Sequence, residues 1–193
     1  MKNLFTALVL AIAFAGVSLA HTSSEEKSGE RQAGQTAKVK VAVIEFSPAP
    51  NAPGMTFEAK RHLQASLAFA LYESDRFHVV DVRNTRDASR DDLAAINEGA
   101  STAAAVKVGK QLGVSYVVTG IVAEYTPKGA DGFGHVILKT RLIEVATGKV
   151  KHAGETTQQS TSAMRTTGAA EMHTKTVRPA LEKLAATLAG MTL

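Results

Sequence analysis

Cysteine is absent from the 193-residue chain. That excludes a disulfide framework, a thiolate nucleophile, a cysteine-based zinc site and a cysteine able to carry a bacterial lipid anchor. Tryptophan is also absent and aromatic residues make up only 5%, so the core must be assembled from Val, Leu, Ile and Ala with a few Phe. Beyond the first twenty residues no segment approaches eighteen uninterrupted apolar residues, which argues against a membrane-spanning helix in the mature chain. Neither sign of charge dominates: 22 Lys and Arg stand against 18 Asp and Glu, intermixed along the chain. A continuous basic stripe with interleaved aromatics, the footprint of a nucleic-acid binder, is therefore missing, and no nucleic-acid partner is expected. What remains is 45% hydrophobic and 21% charged, a globular composition with length for one domain or at most two.

The first twenty residues differ in kind from the rest. Lys2 precedes the apolar run Leu4 to Leu19, and the small-x-small pattern Ser18-Leu19-Ala20 follows. This predicts a secretory leader cleaved between Ala20 and His21, hence a periplasmic or secreted bacterial protein without an integral span after leader removal. From His21 to Ala37 no aliphatic residue is larger than Ala, so residues 21–37 are expected to be a flexible tether. A single domain is expected over residues 38–193.

Val39 to Phe46 alternates apolar residues onto both faces: Val39, Val41 and Val43 on one, Ala42, Ile44 and Phe46 on the other. That is the pattern of a central strand covered on both sides. Prolines 48, 50 and 53 make residues 47–54 a loop. Leu63, Leu67 and Leu71, with Phe57 and Ala70 near the same stripe, predict an amphipathic helix from Thr56, its cap, to Ser74. A short strand is expected over Arg76 to Val82, then a charged stretch from Arg83 to Asp92 and a brief helix from Leu93 to Asn97 closed by Gly99. Ser101 is expected to cap a further helix, with Ala104, Val108 and Leu112 on one face and Gly113 as its stop. Strands follow at Ser115 to Tyr125, His135 to Ala146 and Lys149 to Gln158, the last two joined at Thr147-Gly148 in an antiparallel meander. Val177, Leu181, Leu184 and Leu188 form the stripe of a final helix with Pro179 in its first turn. The fold class is thus α/β, a mixed parallel and antiparallel sheet with helices packed on it.

These residues also carry a resemblance. VAVIEF, the Leu-striped helix, DRFHVVDV, AAAVKVGKQLGVSYVVTGIVAEY and RLIEVATGKV together resemble the CsgG-type domain of bacterial curli-assembly proteins. The pattern is also similar to outer-membrane lipoproteins that activate penicillin-binding proteins, and to the N-terminal domain of TolB-type periplasmic proteins. It spans roughly Lys38 to Leu188. The resemblance implies a non-enzymatic envelope domain that works by binding. Two departures qualify it: no cysteine is present for lipidation, and the segments 125–135 and 149–168 are too short or too polar to supply the membrane hairpins of a CsgG-type channel.

Candidate chemistry is sparse. Gly109-Lys110 lacks the Gly five positions upstream and the following Ser or Thr of a phosphate loop, and reads as helix interior. Gly132-Phe133-Gly134 precedes a strand and lacks a third Gly, so it reads as a turn. His residues at 21, 62, 78, 135, 152 and 173 never fall at i, i+4, and no metal or cofactor is expected. No Gly-x-Ser-x-Gly elbow exists. Glu45, Glu124 and Glu144 lie in predicted strands; they are the candidates for acid–base work in an alternative enzyme reading, and otherwise are charges paired with Lys139 or Arg141. The polar run Glu155 to Thr167 carries seven hydroxyl side chains. It reads first as a solvated connection and second as part of a contact surface, because the preceding outer strand exposes backbone groups to which a partner or a second copy could add a strand. Lys149, Lys151, Glu155, Thr157 and Gln159 are the candidate partner-binding residues. The function expected is a scaffold binding another envelope protein; the alternatives are a periplasmic enzyme using a carboxylate or His site, and a weak nucleic-acid-binding module.

Overall fold

A computed structural model of the chain describes residues 37–50, 52, 54–98 and 102–193. The expected leader at 1–20, the Ala20–His21 cleavage point and all of the expected tether except Ala37 lie outside the described residues, as do Gly99 and Ser101.

The first strand, β1 (Val39–Val43), lies between two parallel neighbours, β3 (Phe77–Val79) and β4 (Tyr116–Thr126). β5 (His135–Glu144) and β6 (Val150–Gln159) then continue from β4 as an antiparallel meander, giving the order β3-β1-β4-β5-β6. A two-residue strand, β2 (Ser47–Pro48), prolongs the line of β1 along β4. This is the mixed sheet expected, and β6 forms one of its edges.

Helices cover both faces. On one, α1 (Phe57–Glu73) and α6 (Arg178–Ala189) pack Leu63, Leu67, Leu71, Leu181, Leu184 and Leu188 over Val41, Val43, Leu138 and Leu142. On the other, α3 (Leu93–Glu98) and α4 (Ala103–Leu112) bring Ile96, Ala105 and Val108 against Ala42, Ile44, Val117 and Ile143. Each fully buried Leu or Ile side chain contributes about 1.5–3 kcal/mol, so the two layers suffice without a metal or cross-link. α1 is capped by Thr56, whose hydroxyl accepts the Ala59 amide at 3.2 Å. Gly113 ends α4 with φ +61°, a left-handed conformation that a side chain disfavours. Gly109 lets α4 approach the sheet, since a Cβ there would stand 2.4 Å from Val145 Cγ2.

Several expectations are corrected. Phe46 joins the Val41 and Val43 side, not the Ala42 and Ile44 side. Val43 pairs with Val118 and Ser47 with Ile121, so four steps on the first strand oppose three on β4. That extra residue is a bulge, and it reverses the alternation beyond it. Phe57 is 56% exposed, not part of the buried stripe. The strand expected over 76–82 stops at Val79, because Asp81 accepts the Arg83 and Asn84 amides and caps α2 (Val82–Ser89). The stretch Arg83 to Asp92 is therefore helical, α2 running into a tight turn at Arg90–Asp92. On α4 the fully buried positions are Ala105 and Val108, while Ala104 and Leu112 are only partly covered. The last helix begins earlier than expected, as α5 (Ala169–Met172), and passes through a π-helical turn at His173–Val177 into α6.

Candidate functional site

The interest of β6 lies in the phase of its ladder. The Ser160 amide donates to the Gly134 carbonyl at 2.7 Å. Antiparallel pairing alternates every two residues, so Gln158, Thr156, Gly154 and His152 bond inward to β5. The backbone groups of Ala153, Glu155, Thr157 and Gln159 are consequently directed away from the sheet. Gln158 closes part of this edge, its Nε2 donating to the Gln159 carbonyl at 2.6 Å.

Side chains add a second feature. Opposite α1 and α6, the outer half of the sheet carries the register pairs Gln159 with His135, Thr157 with Ile137 and Glu155 with Lys139. Glu155, Thr157 and Gln159 are all exposed. Lys139 Nζ lies 3.9 Å from Glu155, a loose, solvent-screened pair. Gln159 Nε2 donates to Asp131 at 3.2 Å, and His135 meets the same carboxylate at 2.9 Å. The Phe133 amide, followed by His135 and Gln159, holds the Asp131 carboxyl below its ordinary range.

The structure thus brings together three of the five residues expected to bind a partner. Lys149 and Lys151 sit apart from them at the β5–β6 hairpin. Lys151 is the extra residue of a bulge between Leu142 and Ile143, and its ammonium lies 3.5 Å from Glu144. Lys149 contributes backbone: its amide donates to Thr147 Oγ1, and its carbonyl accepts the Glu144 amide. Glu144 also accepts the Thr147 hydroxyl, the main reason its carboxyl is held low, with Lys151 second.

The run Glu155 to Thr167 is more than a solvated connection. Ser160 and Met164 are buried. Ser160 Oγ accepts the Gly134 amide and donates to the Ser162 carbonyl. The Thr161 amide reaches the Lys175 carbonyl, and Lys175 Nζ reaches the Ala163 carbonyl. Glu171 then takes the Arg165 and Thr166 amides at 3.0 and 2.8 Å and Lys175 at 2.7 Å. Led by the Arg165 amide, these contacts lower its carboxyl to about 2.

The three candidate carboxylates stay apart. Glu45 lies 4.0 Å from Lys60 of α1. Glu124 and Glu144 register with Ile137 and Tyr116, eight positions apart along β4, or about 25 Å. Among the described residues no group of three or more His, Asp and Glu could hold a metal ion. Sequence reasoning missed one juxtaposition: the His62 and His173 rings lie edge-to-face at 6.1 Å, beside a cavity of about 500 Å³ that Tyr125 and Leu63 also line. His173 meets Ser66 Oγ at 3.2 Å, and burial, reinforced by His62, pushes its imidazole below the ordinary value. The pairing is invisible in sequence because 111 positions separate the two, and only the docking of α1 on the C-terminal helix closes that gap.

No protein-family model and no curated protein matches the chain. Solved structures do. The hypothetical protein CT253 from Chlamydia trachomatis superposes with a TM-score of 0.55 at 12% identity, over 79% of this chain and 97% of that one. Lipoprotein GNA1162 from Neisseria meningitidis gives 0.50 at 18% identity, over 80% and 99%. The C-terminal domain of LpoB from Salmonella enterica gives 0.44 at 20% identity, over 63% and 83%. What the first two share with this chain is its fold. The α/β architecture expected from sequence is therefore one that a bacterial lipoprotein carries.

Proposed function

We infer that this chain is an exported accessory protein of the bacterial envelope, working by surface complementarity on a partner protein and without a covalent step. The carrying observation is the β6 edge, where outward backbone groups at Ala153, Glu155 and Thr157 adjoin the exposed side chains of Glu155, Thr157 and Gln159. Such an edge accepts an added strand, main-chain bonds supplying affinity and alternate side chains supplying selectivity. The partner is another envelope protein or a second copy of the chain. Export through a leader cleaved at Ala20–His21, the CsgG-type sequence pattern and the fold shared with lipoprotein GNA1162 support the location. The separation of Glu124 from Glu144 weighs against a carboxylate-based enzyme.

A photo-crosslinking residue placed at Thr157 or Gln159 in the native compartment tests the reading. Discrete adducts from both positions, and none from the exposed Lys183 of α6, are expected. No adduct from β6, or equal labelling from Lys183, overturns it. Light scattering of the adducts separates a second copy from a different protein.

A further inference from the structure

A second concave surface lies away from β6, between the start of α1 and α2, and its lining is dominated by arginine. Arg83, Arg86 and Arg90 recur at i, i+3 and i+7, so α2 and the tight turn after it present all three to one side. Arg61 comes from α1, one turn after Phe57, and its guanidinium carbon lies 4.3 Å from the centre of the exposed Phe57 ring. These four guanidinium groups line a single cleft of about 640 Å³, walled on its apolar side by Phe57 and Leu93.

Most of this cationic charge is not spent within the protein. Only two carboxylates share the cleft, Glu45 and Asp87. Asp87 is taken up by Arg90 at 2.7 Å, a solvent-exposed pair. Glu45 is largely buried and faces Lys60. Arg86 donates through Nε to the Val82 carbonyl, which leaves its terminal nitrogens for another acceptor. Arg61 and Arg83 have no ion-pair partner among the described residues. The N-terminal amides of α2 are not part of this site, since Asp81 already occupies them.

We propose that this cleft binds an organic phosphate, with Arg61, Arg83 and Arg86 as the anion-holding residues. A carboxylate offers two oxygens, which a single guanidinium fork satisfies. A phosphate ester offers more charge and up to three terminal oxygens, so it can accept from several forks at once. The volume lies within the range of small-molecule sites, about 300–1,000 Å³, and far exceeds the phosphate group alone. The organic remainder packs against Phe57 and Leu93, and a hydroxyl on it donates to Glu45. Two sources present this chemistry, a soluble sugar or polyol phosphate and a phospholipid headgroup. The site does not depend on the β6 reading.

Glycerol 1-phosphate titrated into the 15N-labelled full chain, with glycerol as control, tests the soluble form; flotation with phosphatidylglycerol against phosphatidylcholine vesicles tests the lipid form. Glycerol phosphate is expected to shift amides near Arg61, Arg83 and Arg86, with affinity that falls as salt rises. The double variant Arg61→Glu, Arg83→Glu, altering two exposed side chains, weakens binding at least about tenfold, and Glu45→Gln strengthens it about two- to fivefold by removing a like charge. A preference for phosphatidylglycerol vesicles that the double variant loses, without response to glycerol phosphate, supports the site and assigns it to lipid. Absence of both responses, binding unchanged in the double variant, or tighter binding of a glutamate-rich peptide overturns the proposal.

Discussion

Thr119 donates its hydroxyl to the Asn97 side-chain carbonyl at 2.9 Å, and both residues are buried. The same carboxamide donates through Nδ2 to the Glu45 carbonyl at 2.9 Å and to Ser47 Oγ at 2.7 Å. One side chain of α3 therefore fastens β4 to the bulged passage between β1 and β2. Asn97→Ala leaves these groups unsatisfied and is expected to cost about 2–4 kcal/mol, with Thr119→Val costing less. Urea denaturation of both single variants and the double variant checks this, a large coupling energy being expected and simple additivity contradicting it.

Gly120 is held at its position by what surrounds it. A Cβ there would lie 2.3 Å from the Lys139 carbonyl oxygen and 2.9 Å from the Phe46 ring. Gly120→Ala should lower stability by about 1–3 kcal/mol. Trimming the ring by Phe46→Leu should not restore it, because the carbonyl clash is with backbone. Thermal melts of the two single variants and the double variant give the answer.

The phase of the β6 ladder makes adjacent residues respond in opposite ways to proline. Thr157 directs its amide outward, so Thr157→Pro should keep the fold while blocking an added strand; Thr156, buried and bonded to β5, should lose about 3 kcal/mol or more on the same change. Guanidinium melts measure the stability difference, and the crosslinking yield from Gln159 measures the docking effect. Equal destabilisation by the two prolines would show the phase to be wrong.

Glu171 ties acid stability to the loop before α5. Its carboxyl titrates near about 2 in the folded chain against an ordinary 4.5. A lowered carboxylate contributes stability that is complete above the unfolded value and lost as pH falls through the folded one. The loss should therefore accumulate between pH 4.5 and about 2, and Glu171→Gln should flatten it while lowering stability at neutral pH. Denaturation midpoints recorded across that range report the slope.

His173 works on a different window. Burial and the neighbouring His62 lower its value from 6.5, so the folded chain holds fewer protons than the unfolded one as pH drops past that point. Stability is complete above pH 6.5 and declines as the solution is acidified through the folded value. His173→Gln should remove part of that decline. An unchanged pH profile in the variant would assign the dependence elsewhere.

The sheet order was legible because burial on both faces of β1 and alternation along β4 and β5 leave few arrangements. Thr56, Gly113, Gly148 and Pro179 marked element ends through backbone chemistry that works over one or two residues. Phe46 was misplaced because a bulge costs no sequence signal: strict alternation continued while the register slipped against β4. The helix α2 was missed because its core-facing positions are Thr85 and Ser89, polar residues that bury themselves by bonding to the preceding turn. On β6, Glu155, Thr157 and Gln159 share a face as two-residue spacing requires. Lys151 did not follow, displaced by the bulge opposite Leu142. The arginine cleft was hidden for the same reason as α2, since Arg61 and Arg83 face one volume only once both helices are placed.

The π-helical turn at His173–Val177 acts as an inserted residue in an otherwise continuous spiral. Because each α-helical residue advances about 100°, a genetic deletion of one residue there would rotate everything downstream by more than a quarter circle. Leu181, Leu184 and Leu188 would swing toward water and Glu182 and Lys183 toward the sheet. A lineage could shorten this segment only by rewriting the whole final helix with it.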